Sequence, residues 1–289
     1  VIAPDVGGSF GMKGTLYRED AAVIWASRKL KNTLCWSANR SEAFISDEHA
    51  RAMYGQARLG LDSKGNFISF SVSLDIDIGA YVSKRSFSML NNLGGIAGPY
   101  IIPTIAAELR FTYSNTMPIS PYRGAGRPEA TYTIETLVEK AARELGMDPA
   151  EIRMKNFPTE FPFQQTLVHS VDSGDYNAGL KKAMEVGDYK GFEKRKNETA
   201  YRGKLRGIGF CSYFEACGIA PSAVVMSLGC GIGLWESAEV RFNPTGQVTV
   251  YTGSHSHGQS HQTTFAQIAA DELGVPIENI DVVHGDTDK

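Results

Sequence analysis

The sequence predicts an α+β fold built from two related mixed α/β units. Segments in which apolar and polar residues alternate occur in both halves of the chain and predict strands, and segments with helical periodicity accompany them. The pentapeptide at 142–146 resembles the one at 270–274, and each ends a helix that follows a strand and a glycine-rich loop. We therefore predict a first unit over 1–160, a linker or peripheral segment over 161–235, and the truncated start of a second unit over 236–289.

The first half contains the strongest helix and strand patterns. Arg18–Leu30 has the periodicity of a helix, and Arg58–Ile78 predicts a hairpin that turns at Asp62–Asn66. Thr131–Leu145 carries apolar residues at helical spacing and is followed by a glycine, which commonly ends a helix. Asp148 precedes a proline and a glutamate, so it is predicted to cap the next helix.

The second half begins with a more polar region. Residues 157–203 lack clear periodicity and predict either a linker or a peripheral helical segment. Glu236–Gly253 predicts a second hairpin that turns at Asn243–Gly246. A helix over about Thr264–Leu273 and a strand over Ile280–Val283 are expected to follow.

The composition excludes several classes of protein. The chain has 289 residues, of which 42% are hydrophobic and 21% are charged, as in ordinary globular proteins. A net charge of −3 gives no sign of the basic surface that nucleic-acid binding requires. The uncharged stretch Ala216–Trp235 is long enough to cross a bilayer, but its glycines and serines favour a buried loop or strand pair, so we predict no membrane span.

Two further features concern the cysteines and the ends of the sequence. None of the four cysteines forms a C-x-x-C pair, so they are predicted to be buried free thiols in a reducing compartment, which indicates the cytoplasm. The sequence starts at Val1 rather than Met and stops in a polar, turn-like run, so we expect it to be a piece of a longer chain.

The first candidate constellation is a glycine-rich loop near the beginning of the sequence. Gly7, Gly8, Ser9, Phe10 and Gly11 open a run in which four of eight residues are glycine. Such loops let backbone amides face a bound anion or cofactor. The pattern matches neither the dinucleotide nor the Walker fingerprint, and a plain tight loop fits it equally well.

The second constellation places arginines around a glycine turn. Arg123 and Arg127 flank Gly124–Gly126 immediately before the strongest predicted helix. A guanidinium group offers a rigid fork of donors, so Arg123 could hold a carboxylate or carbonyl oxygen. The alternative is a surface loop whose arginines are solvated.

The third constellation contains half of the histidines. His255, His257 and His261 cluster before the last predicted helix, and the spacing of the latter two permits a zinc site. However, the H-E-x-x-H glutamate is missing, and no fourth ligand stands nearby in the sequence. The alternative is a loop in which Gln259 and backbone amides hold an anionic or amide-rich cofactor at a helix N-terminus.

These constellations together resemble one known family. The patterns G-G-S-F-G, Y-R-G-x-G-R-P-E and G-Q-x-H-x-T occur in this order, as in the molybdenum-binding large subunit of the xanthine dehydrogenase, aldehyde oxidase and aerobic carbon monoxide dehydrogenase family. The resemblance covers essentially the whole chain. Further stretches that carry it are Asn39–Glu42, Asp75–Tyr81, Arg153–Phe157 and Gly285–Asp288.

The resemblance implies a fold and a set of site residues. It implies two units of the molybdenum cofactor-binding type with the cofactor between them. Phe10 would contact the metal centre and the substrate pocket, and Arg123 would orient the substrate or stabilise developing charge. The metal would be held by the pterin rather than by protein side chains. The residues implied to bind the cofactor are Gly7, Gly8, Ser9, Phe10, Gly11, Arg123, Gly124, Gly258, Gln259, Ser260 and His261.

The resemblance also implies an activity and partners. The implied reaction is the hydroxylation of an aldehyde, an N-heterocycle or a related small molecule, with water as the oxygen source and molybdopterin cytosine dinucleotide with molybdenum as the cofactor. Members that oxidise carbon monoxide carry a copper-binding cysteine where this chain has Gly124, which argues against that substrate. The implied assembly is a dimer of heterotrimers with an iron–sulfur subunit and an FAD subunit.

Two limits of the resemblance lead to alternative hypotheses. The family's glutamate base is expected beyond residue 289, so the piece alone is expected to be inactive. A zinc-dependent hydrolase that uses His255, His257 and His261 remains one alternative, and a non-catalytic binding module remains another.

Overall fold

The computed structural model divides the chain into two compact units. It describes residues 1–14, 16–83, 86–87, 95–167, 170–213, 215, 226 and 236–288. The larger unit comprises Gly14–Glu215, and the smaller one combines Val1–Lys13 with Ala216–Lys289. The smaller unit is therefore discontinuous in sequence, whereas the larger unit is a single segment. Apart from Met226, which is exposed, the uncharged stretch 216–235 lies outside the described residues.

A three-stranded sheet forms the centre of the larger unit. Strand β1 (Met53–Leu61) pairs antiparallel with β2 (Phe67–Asp77), and β2 pairs parallel with β3 (Thr104–Thr112). The predicted hairpin is confirmed, although β1 starts before Arg58. Its turn forms because the carboxylate of Asp62 accepts hydrogen bonds from the amides of Lys64 and Asn66. Strand β3 was not predicted.

Helices α3 (Arg127–Leu145) and α4 (Pro149–Asn156) pack against this sheet, and several helices begin or end at a recognisable signal. The predicted helix Arg18–Leu30 is confirmed at both ends. Helix α3 starts at Arg127, four residues before its predicted start. The left-handed Gly126 precedes the helix, and Pro128, whose fixed φ suits a first turn, lies at its beginning. Asp148 caps α4 as predicted, since its carboxylate accepts from the amide of Ala150. The other elements are α1 (Arg18–Leu30), α2 (Arg40–Ser46), α3 (Arg127–Leu145), α4 (Pro149–Asn156), β4 (Phe163–Gln164), β5 (Ser170–Val171), α5 (Tyr176–Val186) and α6 (Phe192–Tyr201).

The core of the larger unit lies between α3, α4 and β2. Ile134 and Val138 of α3 are fully buried and pack in one cluster with Phe70 of β2 and Ile152 of α4. Helices α5 and α6 fall within the polar region 157–203, which fits the helical alternative for that region.

A buried ion pair crosses this core. Arg153 is fully buried, and its guanidinium donates to the carboxylate of Glu135 at 2.9 and 3.1 Å. The hydroxyl of Tyr100 also donates to Glu135. Arg153 further donates to the carbonyl oxygen of Phe210 at 3.1 Å, so the ion pair ties residues 210–213 to α4.

The smaller unit repeats the strand order of the larger one. Strand β6 (Ala238–Phe242) pairs antiparallel with β7 (Val248–Thr252), and β7 pairs parallel with β8 (Ile280–Val283). Helix α7 (His261–Leu273) connects β7 to β8 and packs on them. The predicted hairpin and last strand are confirmed, and α7 starts three residues before Thr264. All five residues of β6 are exposed, and its outer edge has no paired strand within the described residues.

The cysteine prediction is wrong for the two cysteines that the structure describes. Cys35 and Cys211 are free, as predicted, but both are exposed. Cys35 lies in the exposed segment 31–40, which buries no side chain. Within the described parts of the chain, no helix combines the length and the apolar character needed to cross a membrane.

Candidate functional site

The Arg123 loop owes its shape to three consecutive residues in the left-handed region. Gly124, Ala125 and Gly126 have φ of 96°, 42° and 94°. A Cβ at Gly124 would lie 2.6 Å from the ring of Pro128, so glycine is required there by packing as well as by φ. The amide of Arg127 donates to the carbonyl of Gly124 at 3.0 Å, and α3 starts at that point. Helix α3 therefore begins without a side-chain cap.

Arg51 supports this loop from a distant part of the sequence. Its guanidinium donates to the carbonyl oxygen of Arg123, lies 5.4 Å from the ring centroid of Tyr122 and pairs with Glu129 at 3.6 Å. Sequence reasoning missed Arg51, because no local pattern marks an arginine that acts on a loop 72 residues away.

A cleft of about 670 Å³ lies beside Arg123 on the surface of α3. Arg127 pairs with Glu215 at 2.8 Å across part of the cleft. Arg123 is exposed and forms no ion pair with any carboxylate that the structure describes, so its charge is available to a bound molecule. The lining residues are Arg123, Gly124, Arg127, Pro128, Thr131, Tyr132, Glu135, Thr136, Glu139, Arg143, Phe210, Cys211, Tyr213 and Glu215.

The thiol of Cys211 in this cleft is held in its protonated form. Desolvation raises the pKa of Cys211, and the negative charge of Glu135 raises it further. A thiol with a raised pKa is a poor nucleophile at neutral pH. The cleft is therefore suited to binding through Arg123 rather than to covalent chemistry at sulfur.

The glycine-rich loop of the smaller unit folds around a phenylalanine ring. Gly8, Phe10 and Gly11 have φ of 95°, 55° and 102°. A Cβ at Gly8 would lie 2.3 Å from the ring of Phe10, so the ring occupies the space that any other residue at position 8 would need. The ammonium group of Lys13 donates to the carbonyl of Gly8 at 3.1 Å. Phe10 remains 48% exposed and can contact a ligand.

The loop before α7 is built like the loop before α3. Ser260 is left-handed with φ of 63°, as Gly126 is before α3, and its side chain caps no amide. The amides of His261 and Gln262 donate to no acceptor among the described residues. Gly258 has φ of 117° and no atom near its Cβ position, so the chain is open to solvent there. Uncapped first-turn amides are the groups that bind anions at helix N-termini.

The histidines of this loop bond to different partners rather than to a common centre. The Nδ1 atoms of His255 and His257 lie 2.9 Å apart, and the Nε2 atom of His255 lies 2.9 Å from the carbonyl oxygen of Ala3. The Nδ1 atom of His261 lies 3.3 Å from the carbonyl oxygen of Ser254. No group of three or more His, Cys, Asp or Glu residues in the described ranges is arranged to hold a metal ion. The zinc hypothesis therefore gains no support from this geometry.

The electrostatics of the loop favour the neutral form of His257. Burial lowers the pKa of His257, and the nearby rings of His255, His261 and His284 lower it further. Because a neutral imidazole has one donor and one acceptor nitrogen, the hydrogen bonds of this cluster depend on which nitrogen carries the proton.

The predicted site residues fall on both units. The loop Gly7–Gly11 and the loop Gly258–His261 belong to the smaller unit, whereas Arg123 and Gly124 belong to the larger one. Gly7, Gly258, Gln259 and Ser260 are exposed, and Ser9, Gly11 and His261 are partly buried.

Comparison with known proteins matches both halves of the chain to one kind of domain. The family model of the molybdopterin cofactor-binding domain matches residues 1–157, and a second model with the same description matches residues 182–289. The chain is 35% identical to the carbon monoxide dehydrogenase large chain of Hydrogenophaga pseudoflava, over 99% of this chain and 37% of that protein. It is 32% identical to the 6-hydroxypseudooxynicotine dehydrogenase complex subunit gamma of Paenarthrobacter nicotinovorans, over 98% of this chain and 35% of that protein.

A solved structure shares the fold. Quinoline 2-oxidoreductase from Pseudomonas putida 86 matches with a TM-score of 0.89 and 36% sequence identity, over 98% of this chain and 37% of that chain. The chain thus spans little more than a third of the length of these relatives.

Proposed function

Because this chain belongs to the molybdopterin cofactor-binding family of molybdenum-binding large subunits, we propose that it is the cofactor-binding part of a molybdenum hydroxylase. The whole protein would oxidise an aldehyde, an N-heterocycle or a related small molecule, with water as the oxygen source. On this family premise, the observation that carries the proposal is the start of α7, where no side chain caps the first amides and the left-handed Gly258 and Ser260 precede them.

The donors at α7 fit a pterin dinucleotide. Such a cofactor carries phosphate oxygens and amide-like ring edges, which need backbone and carboxamide donors. The free amides of His261 and Gln262 would bind phosphate oxygens, and the side chain of Gln259 would bind an amide-like edge. We propose that Gly258, Gln259, Ser260 and His261 hold the cofactor and that its nucleotide is cytosine.

The glycine-rich loop near the beginning of the chain would complete the cofactor site within the same unit. Gly7, Gly8, Ser9 and Gly11 would bring the backbone close to the cofactor, and the exposed ring of Phe10 would cover its reactive end. When bound, the cofactor supplies the two-electron oxidation of the substrate carbon. We propose that the cofactor, rather than these residues, would hold the metal.

Arg123 would bind the substrate in the cleft beside α3. Its free guanidinium can donate two hydrogen bonds to a carbonyl oxygen or to a developing negative charge. Arg51 holds the carbonyl of Arg123 and so fixes the start of that side chain. Gly124 leaves no thiol for copper next to Arg123, so we propose that carbon monoxide is not the substrate.

We further propose the partners and the location of the protein. An iron–sulfur subunit and an FAD subunit would carry electrons away in a dimer of heterotrimers, in the cytoplasm. Among its relatives, the gamma subunit from Paenarthrobacter nicotinovorans is part of a dehydrogenase complex, which supports an assembly of several subunits.

The test is the molybdenum and pterin content of the full-length protein, co-expressed with its neighbouring subunits. We expect about one molybdenum per chain, with pterin and without copper. A matched pair of variants locates the site, because Gly258 and Gly246 both have positive φ and open space at Cβ, and both lie in the smaller unit. Gly258→Ala should lose molybdenum and pterin, whereas Gly246→Ala should keep both. Stoichiometric zinc without molybdenum would refute the proposal and favour the hydrolase alternative.

A further inference from the structure

A chain of hydrogen bonds runs from the carbonyl oxygen of Ala3 through the rings of His255 and His257 into the loop before α7. A carbonyl oxygen can only accept, so the 2.9 Å contact with Ala3 requires that His255 carries a proton on Nε2. In neutral His255 the Nδ1 atom is then an acceptor. The 2.9 Å contact between the two Nδ1 atoms therefore requires that His257 carries its proton on Nδ1 and donates it to His255.

This arrangement fixes the backbone at His257. The ring of His255 is held by a segment that is itself paired, since the amide of Ala3 donates to the carbonyl of Gly285 at 2.7 Å. A Cβ at Gly285 would lie 2.3 Å from the carbonyl oxygen of Ala3 and 2.9 Å from the ring of His255, so the three residues are closely packed. His257 is thus linked through His255 to the paired backbone of Ala3 and Gly285 in the smaller unit.

The anchored backbone in turn orients the side chain of Gln259. The amide of His257 donates to the carboxamide oxygen of Gln259. A backbone amide cannot pair with the NH₂ end of a carboxamide, so this contact settles which end of Gln259 faces the loop. Gln259 is exposed, and its NH₂ group donates to no acceptor among the residues that the structure describes.

We propose that His255 and His257 are positioning residues that present Gln259 to its ligand as a hydrogen-bond donor. The proposal rests on the proposed function, because it identifies the group that Gln259 recognises as an acceptor, a carbonyl or ring nitrogen of the cofactor. The side chain of His257 acts only through Nδ1. A residue with a donor at the same place should therefore replace it.

Hydrogen–deuterium exchange of residues 254–260 in the full-length protein, expressed with its subunits but without molybdenum, tests the positioning directly. His257→Leu should exchange about fivefold faster than the wild type, the factor that corresponds to the loss of one hydrogen bond of about 1 kcal/mol. His257→Asn, whose Nδ2 donor replaces Nδ1, should exchange within about twofold of the wild type, whereas His257→Gln should resemble the leucine variant. His49→Leu, in the larger unit, is the control and should leave this segment unchanged.

Equal exchange in the leucine and asparagine variants would overturn the inference. If His257→Leu does not fold, the contrast between the asparagine and glutamine variants carries the same information. Molybdenum and pterin content separates this inference from the proposed function. If the wild type lacks the cofactor, the proposed function fails, and the exchange pattern still decides whether the histidines position Gln259.

Discussion

The buried ion pair between Arg153 and Glu135 offers the sharpest test of the core. Replacing Arg153 by Met leaves Glu135, which is 6% exposed, without its cation. Breaking a buried pair from one side costs about 3–5 kcal/mol, because the remaining charge is uncompensated. In a unit of this size, each kcal/mol lowers the melting temperature by about 2–4 °C. The Arg153→Met variant should therefore melt between about 6 and about 20 °C below the wild type.

A second replacement distinguishes loss of charge pairing from simple loss of packing. In the double variant Arg153→Met/Glu135→Gln the buried charge is removed, and the glutamine oxygen can still accept from Tyr100. Replacing both partners by neutral groups is often close to neutral, so most of the lost stability should return. Scanning calorimetry and urea unfolding of the 289-residue chain measure both effects.

An exposed ion pair in the same helix serves as the control. Lys140 lies 3.7 Å from Glu144, and both side chains are more than 60% exposed, at 62% and 68%. Such pairs contribute about 0.3–0.5 kcal/mol, so Lys140→Met should hardly change the melting temperature. The role of the buried ion pair is refuted if Arg153→Met lowers the free energy of unfolding by less than about 1 kcal/mol, or if the double variant is no more stable than Arg153→Met.

Three further predictions concern a glycine, an asparagine and a histidine. Gly124→Ala should lower the free energy of unfolding, measured in urea, by at least about 1 kcal/mol more than Gly146→Ala does. Both glycines have positive φ, but only at Gly124 would the added Cβ also meet a proline ring, so equal losses would contradict this packing. Asn156→Leu should lower the free energy of unfolding by about 2–5 kcal/mol, because the buried amide of Phe67 and carbonyl of Gly65 lose their partner. A loss below about 1 kcal/mol in the same assay would exclude this role of Asn156. Because the pKa of His257 is lowered in the folded chain, His257 takes up a proton in the unfolded chain at a higher pH than in the folded chain. The contribution of His257 to stability should be complete above pH 6.5 and should fall as the pH drops through that value, and urea unfolding from pH 7.5 to pH 5 should show a smaller decline for His257→Asn.

The elements that the sequence predicted well have strong local signals. The helix Arg18–Leu30 and the strand Ile280–Val283 were predicted with the observed ends. Strand β3 was missed, although Ile105, Leu109 and Phe111 alternate with mostly polar residues. Its residues are exposed or only partly buried, and its partner β2 lies far away in sequence, so its pairing depends on tertiary structure.

The sequence predicted the loops of the candidate site, but neither the helix starts that follow these loops nor the distant residue that contacts one of them. Glycines marked the three loops, and Gly8, Gly11, Gly124 and Gly258 have the left-handed backbone that favours glycine. The early starts of α3 and α7 were missed, since a helix that begins at a left-handed residue lacks the usual side-chain cap. Arg51 was missed because its contact with the Arg123 loop joins distant residues.

The pairing of the β-strands in the smaller unit has a practical consequence for handling the protein. Strand β6 has an outer edge that no described strand pairs with, and its apolar side chains are exposed, since Val240 is 46% and Phe242 is 64% exposed. Such an edge is a template for strand addition by another molecule, so the 289-residue chain produced by itself is prone to aggregate at this edge. Natural sheets protect their edges with charged side chains, and Val240→Lys would place one there. Light scattering during concentration of the two forms would show how much of the aggregation starts at this strand.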